Sequence, residues 1–222
     1  MSLLSKPSLV NTDMSAFEFQ TLTSSECFKI SDYHDKVILI VNTASECGLT
    51  GQYQALEETY QKFKAQGLII IGVPSSDFGN QEKDTSTDIA AFCQKNYGVT
   101  FLMTQKYAVT GSHAHPFYKK AKEIMGFIKS PQWNFHKYLI NKKGELVDYF
   151  FSLTAPDSKR LHKAIESLIH EKEADITEHF KVDTSESLPD STRFDTLLEK
   201  KDTPNISLNI DDTKNNDTEP KS

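Results

Sequence analysis

Two uninterrupted aliphatic runs, Val37-Ile38-Leu39-Ile40-Val41 and Leu68-Ile69-Ile70-Ile71-Gly72-Val73, constrain this chain more than any other feature. A strand with one wet face alternates apolar and polar residues, so a run without alternation is buried on both faces, as in a parallel sheet covered by helices. Between the runs, Tyr53, Leu56, Tyr60 and Phe63 form a helical stripe over about Gly51 to Ala65, and Gly67 supplies a C-cap. Strand, helix and strand make a βαβ unit, whose crossover is expected to be right-handed. The class is α/β, with helices flanking a central mixed sheet.

The mixed character comes from the second half. Asp88 to Tyr97 reads as a helix with Ile89, Phe92 and Cys93 on one stripe and Gly98 as its stop. A short strand near Val99 to Met103 and a helix after Pro116 follow. Trp133 to Ile140 reads as a strand, and Asn141-Lys142-Lys143-Gly144 turns it back into Glu145 to Phe151, a β-hairpin. Asp157 to Ile169 closes the domain as a helix, with Leu161, Ile165, Leu168 and Ile169 inward. Phe17, Phe19 and Leu22 alternate loosely and could pair with Cys27 to Ile30 as an edge hairpin.

Three segments are expected: a frayed polar end over residues 1–15, with Met14 as an alternative start, one domain over 16–171, and a disordered acidic tail over 172–222. Of the 222 residues, the tail takes 13 of 31 acidic and 7 of 25 basic side chains, the entire net charge of −6. It has too few apolar residues to offset chain ordering, although Phe194, Leu197 and Leu198 lie at helical spacing. The neutral domain offers no clustered Lys/Arg for nucleic acid or an anionic membrane. No apolar run is long enough to span a bilayer, and the N-terminal sequence lacks a secretory h-region. A cytoplasmic protein is expected. Its three cysteines are too few for a disulfide-stapled scaffold, so each is either a packed or a reactive thiol.

Cys47 stands just past the first buried strand, in Asn42-Thr43-Ala44-Ser45-Glu46-Cys47-Gly48-Leu49-Thr50, and before a helix. Free backbone N–H groups and the positive end of a helix dipole favour an anion at such a place. A disulfide reductase would show Cys-x-x-Cys, but the fourth position here is Thr50. A lone thiolate suits attack on an electrophile, and an inert buried cysteine is the plain alternative.

The stretch around Cys47, together with Phe78-Gly79-Asn80-Gln81-Glu82 and Trp133-Asn134-Phe135-His136-Lys137, closely resembles the three signatures of the glutathione peroxidase family over about Phe17 to Ile169. The resemblance implies a thioredoxin-like fold and a peroxidatic Cys47 met by Gln81, Trp133 and Asn134. Those residue types suit the chemistry. Thiolate attack on a peroxide leaves a sulfenic acid and expels an alkoxide or hydroxide, and fixed neutral N–H donors stabilise the moving charge. Cys93 lies 46 positions after Cys47, where thioredoxin-using members keep a resolving cysteine. The implied cycle therefore runs through a Cys47–Cys93 disulfide reduced by thioredoxin, and it requires the Cys93 helix to shift or unwind. A packed Cys93 would leave glutathione as the reductant. Cys27 matches nothing and reads as structural.

Val73-Pro74-Ser75-Ser76-Asp77 departs from the family pattern before Gln81, as do Lys83 and Leu102 where prolines are frequent. The short stretch from Thr104 to Gln132 lacks the oligomerisation segment of tetrameric members, which implies a monomer and a site open to bulky and lipid hydroperoxides. His113-Ala114-His115 reads as a solvated loop, too poor in ligands for zinc, and no dinucleotide or phosphate loop appears. No bound cofactor or metal is expected. The other readings are a peroxide sensor passing oxidation to a client protein, and a non-catalytic thioredoxin-like binding module.

Overall fold

The computed structural model describes residues 11–171. The expected tail and residues 1–10 lie outside the described residues. Eleven elements follow in order: β1 (Glu18–Gln20), β2 (Cys27–Lys29), β3 (Val37–Thr43), α1 (Gln52–Phe63), β4 (Leu68–Pro74), α2 (Ser86–Tyr97), β5 (Leu102–Met103), α3 (Pro116–Met125), β6 (Lys137–Ile140), β7 (Leu146–Phe150) and α4 (Lys159–Ile169).

The five-stranded sheet runs β5-β4-β3-β6-β7, with β3, β4 and β5 parallel and β6 and β7 antiparallel. The aliphatic runs are its two central parallel strands, in register from Val37 opposite Leu68 to Thr43 opposite Pro74. Because successive side chains point to opposite faces, β3 feeds two cores at once. Val37, Leu39 and Val41 pack against α1, α2 and α4, whereas Ile38 and Ile40 pack against α3 and the β1–β2 hairpin. Gly72 leaves room in β4 for the Met103 side chain, which a Cβ there would strike. Gly98, at φ +58°, ends α2 in the left-handed region that favours glycine.

Several local expectations need correction. Of the end expected to fray over residues 1–15, the described part, 11–15, is tied to the domain although Asn11 and Asp13 are exposed. Met14 is fully buried in the α3-side core, Asp13 pairs with Glu145, and the Leu146 N–H donates to Thr12 O at 2.9 Å. The strand expected from Trp133 begins only at Lys137, because Phe135 takes a φ of +65° that no strand accommodates. His115, expected in a solvated loop, caps α3 by accepting the Phe117 N–H and stacks on Phe19 with ring centroids 4.3 Å apart. Cys27, expected to be structural, is exposed on β2.

Candidate active site

Cys47 lies in consecutive turns between β3 and α1, buried to 8% exposure. The helix starts at Gln52, within a residue of the expected Gly51, after a lead-in of short i→i+3 bonds such as Thr50 N–H to Cys47 O at 3.0 Å. Thr50 organises that turn. Its hydroxyl accepts the Cys47 N–H at 3.0 Å and faces the Cys47 and Ala44 carbonyls at 2.6 and 3.1 Å. The fourth position of a reductase motif is thus a hydroxyl that holds the backbone. The Cys47 sulfur accepts the Leu49 N–H at 3.4 Å.

Two further segments close on this turn. From the β4–α2 loop, Gln81 O accepts the Glu46 N–H at 2.8 Å, and the neighbouring Glu82 Oε1 accepts the Ser45 N–H at 3.2 Å. The loop is tied at its start by Asp77, whose Oδ2 accepts the Val109 and Thr110 N–H groups at 2.7 and 2.8 Å. The departure from the family pattern at Asp77 therefore supplies an anchor. From the segment before β6, Phe135 N–H donates to Asn42 O, His136 N–H donates to Asn42 Oδ1 at 3.0 Å, and Asn42 Nδ2 reaches Trp133 O at 3.2 Å. Asn42, near the end of β3, thereby clamps the turn that presents Trp133 and Asn134. Its place in the first signature was visible in the sequence, but its clamping role was not.

The structure joins Gln81 and Asn134 directly, with Asn134 Nδ2 donating to Gln81 Oε1 at 3.0 Å and facing Phe78 O at 3.4 Å. Through this bond the Asn134 amide orients Gln81 and leaves the Gln81 NH2 as the uncommitted donor of the pair. Trp133 is 42% exposed, and its ring leans on Phe78 at 5.9 Å between centroids. Beside it, Ile128, His136, Phe151 and Leu153 line an apolar groove of about 710 Å³.

Cys93 sits on the buried stripe of α2 at 2% exposure and belongs to the same core as Cys47. Burial pushes its thiol up to about 11. The Tyr53 hydroxyl of α1 faces both Cys93 and the Thr43 hydroxyl without closing a hydrogen bond to either. Glu82 is 4% exposed, with Oε1 holding the Ser45 and Lys83 N–H groups and Oε2 unpaired. Burial raises its carboxyl above the ordinary range.

A glutathione peroxidase family model matches residues 14–122. The chain is 44% identical over 145 residues to the glutathione peroxidase-like peroxiredoxin gpx1 of Schizosaccharomyces pombe, covering 64% of this chain and 90% of that one. The chain belongs to the glutathione peroxidase family. Another relative, the hydroperoxy fatty acid reductase gpx1 of Synechocystis sp., is 40% identical over 136 residues, 58% of this chain and 80% of that one. Among solved structures, the apo crystal structure of Trgpx is similar at a TM-score of 0.58 and 32% identity, covering 72% of this chain and 97% of that one. A thiol-disulfide isomerase from Corynebacterium glutamicum, 18% identical, shares the thioredoxin-like fold at a TM-score of 0.55, over 74% of this chain and all of that one. Glutathione peroxidase family membership makes this chain a thiol-dependent peroxidase. Among the described residues no helix is long and apolar enough to cross a membrane.

Proposed function

We propose that Cys47 is the peroxidatic sulfur of this peroxidase, served by Gln81, Trp133 and Asn134, and that Cys93 resolves it for reduction by thioredoxin. The observation that carries this reading is the Asn134–Gln81 amide pair, fastened to the Cys47 turn through the Glu46–Gln81 backbone bond. In the first half-reaction the Cys47 thiolate attacks the distal peroxide oxygen and the O–O bond breaks. Sulfenic acid remains on sulfur, and the departing alkoxide or hydroxide takes a proton to leave as alcohol or water. The Gln81 NH2 and Trp133 indole N–H supply neutral donors for that charge, while Asn134 positions Gln81. In the second half-reaction Cys93 displaces water from the sulfenic acid, and a dithiol reductant opens the disulfide.

The apolar groove beside Trp133 supports organic and lipid hydroperoxides as substrates, in keeping with the name of the cyanobacterial relative. We place the catalytic unit in the domain expected over residues 16–171 together with the Thr12–Ser15 segment tied to it, acting as a cytoplasmic monomer, with residues 172–222 dispensable for turnover. The deciding experiment is peroxide-dependent NADPH consumption with thioredoxin and glutathione recycling systems in parallel, using Cys47→Ser as control. Faster turnover with thioredoxin, abolished by Cys93→Ser, is the expected result. Activity with glutathione alone would make this a one-cysteine enzyme.

A further inference from the structure

His136 is buried to 1% exposure, and both of its ring nitrogens lack a hydrogen-bond partner among the described residues. Buried polar atoms are nearly always paired, so an imidazole with two open positions asks for a chemical reason. The ring is held where it is. Its backbone N–H donates to Asn42 Oδ1 at 3.0 Å, its carbonyl accepts the Asn42 N–H at 3.3 Å, and Tyr138, Tyr149 and Phe151 surround it with ring centroids 4.8 to 6.1 Å away. The nearby Lys129 carbonyl is taken by the Tyr138 hydroxyl at 3.2 Å.

His136 also borders the apolar groove beside Trp133, three residues after that indole in the turn before β6. Ile128, Trp133, Phe151 and Leu153 of this groove are four of the six large hydrophobic side chains exposed among the described residues. A contiguous exposed apolar patch marks a binding surface, and an apolar concavity with one convergent polar group is the usual form of a small-molecule site.

We infer that His136 is a specificity-determining residue of this groove, donating a hydrogen bond to a second, uncharged oxygen of the hydroperoxide substrate, a carbonyl, ester or epoxide farther along its chain. The inference rests on the reading above that Cys47 attacks hydroperoxides whose organic part lies in this groove. With the hydroperoxide group at Cys47 and the chain passing Trp133, the atoms that follow meet the imidazole. The Phe151 ring lies edge-on to it and is half-exposed, so rotation of that one surface side chain opens the imidazole to the groove. Burial and the Lys137 charge lower the His136 pKa from 6.5 to about 4, so near neutral pH the ring is uncharged, with one N–H to donate. A neutral donor in an apolar wall suits an uncharged oxygen. A carboxylate would lose its hydration there with no free cation in return. Lys137 Nζ is already spent on Gln52 Oε1, Ser152 O and Thr154 O at 2.6 to 3.5 Å, and Lys129 Nζ lies over the Tyr149 ring at 5.4 Å.

The test compares matched substrates in the first half-reaction of the full chain. The probes are straight-chain alkyl hydroperoxides, the same chains with one CH2 replaced by a keto group at successive positions, and the same chains ending in a carboxylate. The second-order rate of Cys47 oxidation is read from the fluorescence of Trp133, the only tryptophan, and checked by dimedone capture of the sulfenic acid. At one or two adjacent keto positions the parent should react about tenfold faster than with the plain alkyl chain, the effect of one neutral hydrogen bond. His136→Phe should bring that ratio to about one, and His136→Gln, which keeps a donor, should retain part of it. Each ratio is taken within one variant, so changes in folded fraction or in the reactivity of Cys47 cancel. A flat keto series in the parent, a preference that survives His136→Phe, or a greater preference for the carboxylate chains would overturn the inference and leave Cys47 as the peroxidatic sulfur. Absence of Cys47 sulfenic acid with every hydroperoxide would remove that reading and this inference together.

Discussion

At the scale of single residues, the site depends on side chains that satisfy backbone groups. Thr50 is one, since its hydroxyl holds the buried Cys47 N–H. Thr50→Val keeps the shape but strands that donor, and should cost about 1–3 kcal/mol in denaturant unfolding. It should also slow sulfenic-acid formation about tenfold in stopped-flow measurements, and Thr50→Ser should recover both. Gln81 presents the uncommitted amide donor, so Gln81→Ala should lower the rate of peroxide attack by about 10²-fold, the usual effect of removing one fixed donor. An unchanged rate would exclude Gln81 from the first half-reaction. Family membership was legible because Cys47, Gln81 and Trp133 each stand in a short signature. The clamp by Asn42 was not, because it joins positions 94 residues apart.

At the scale of elements, the period of the side chains decided what could be read. The central strands β3 and β4 were legible because burial on both faces removes alternation. Helices α1, α2 and α4 were legible from their apolar stripes, the first two also from the glycines that follow them, Gly67 and Gly98. The segment Trp133–His136 was misread as strand because its composition is strand-like, whereas its backbone is set by the distant Asn42 amide and the positive φ of Phe135. In the cycle proposed above, helix α2 carries the mechanical demand, since Cys93 sits on its buried stripe at 2% exposure and has to reach Cys47. Hydrogen exchange after one equivalent of peroxide should show amides 86–97 losing at least tenfold protection while α1 and α4 keep theirs. Equal protection before and after disulfide formation would exclude unwinding of α2.

For the molecule as a whole, stability should depend on pH through His136. Burial, with the positive charge of Lys137 beside it, lowers its pKa from 6.5 to about 4. The unfolded chain therefore takes up a proton at a higher pH than the folded one. This contribution is intact above pH 6.5 and is lost as the pH falls toward 4, amounting to about 2 kcal/mol at pH 5. Lys137, lowered to about 7 by burial, is largely protonated in folded and unfolded chains alike over that window. The raised Glu82 carboxyl works in the opposite sense, so the difference between parent and variant isolates the histidine. His136→Phe, which fits the aromatic surroundings of Tyr138, Tyr149 and Phe151, should flatten urea-denaturation stability between pH 6.5 and 5. An equal acid dependence in both proteins would assign it elsewhere.

The sheet ends at one side in the two-residue strand β5, and at the other the Thr12–Met14 segment lies across the start of β7. Neither border gives a foreign strand much template for backbone pairing. The cycle proposed above loosens α2 at each turnover and would bare apolar surface repeatedly. Blunt borders let it do so without seeding fibrils, so repeated partial opening remains compatible with a long working life in a crowded cell.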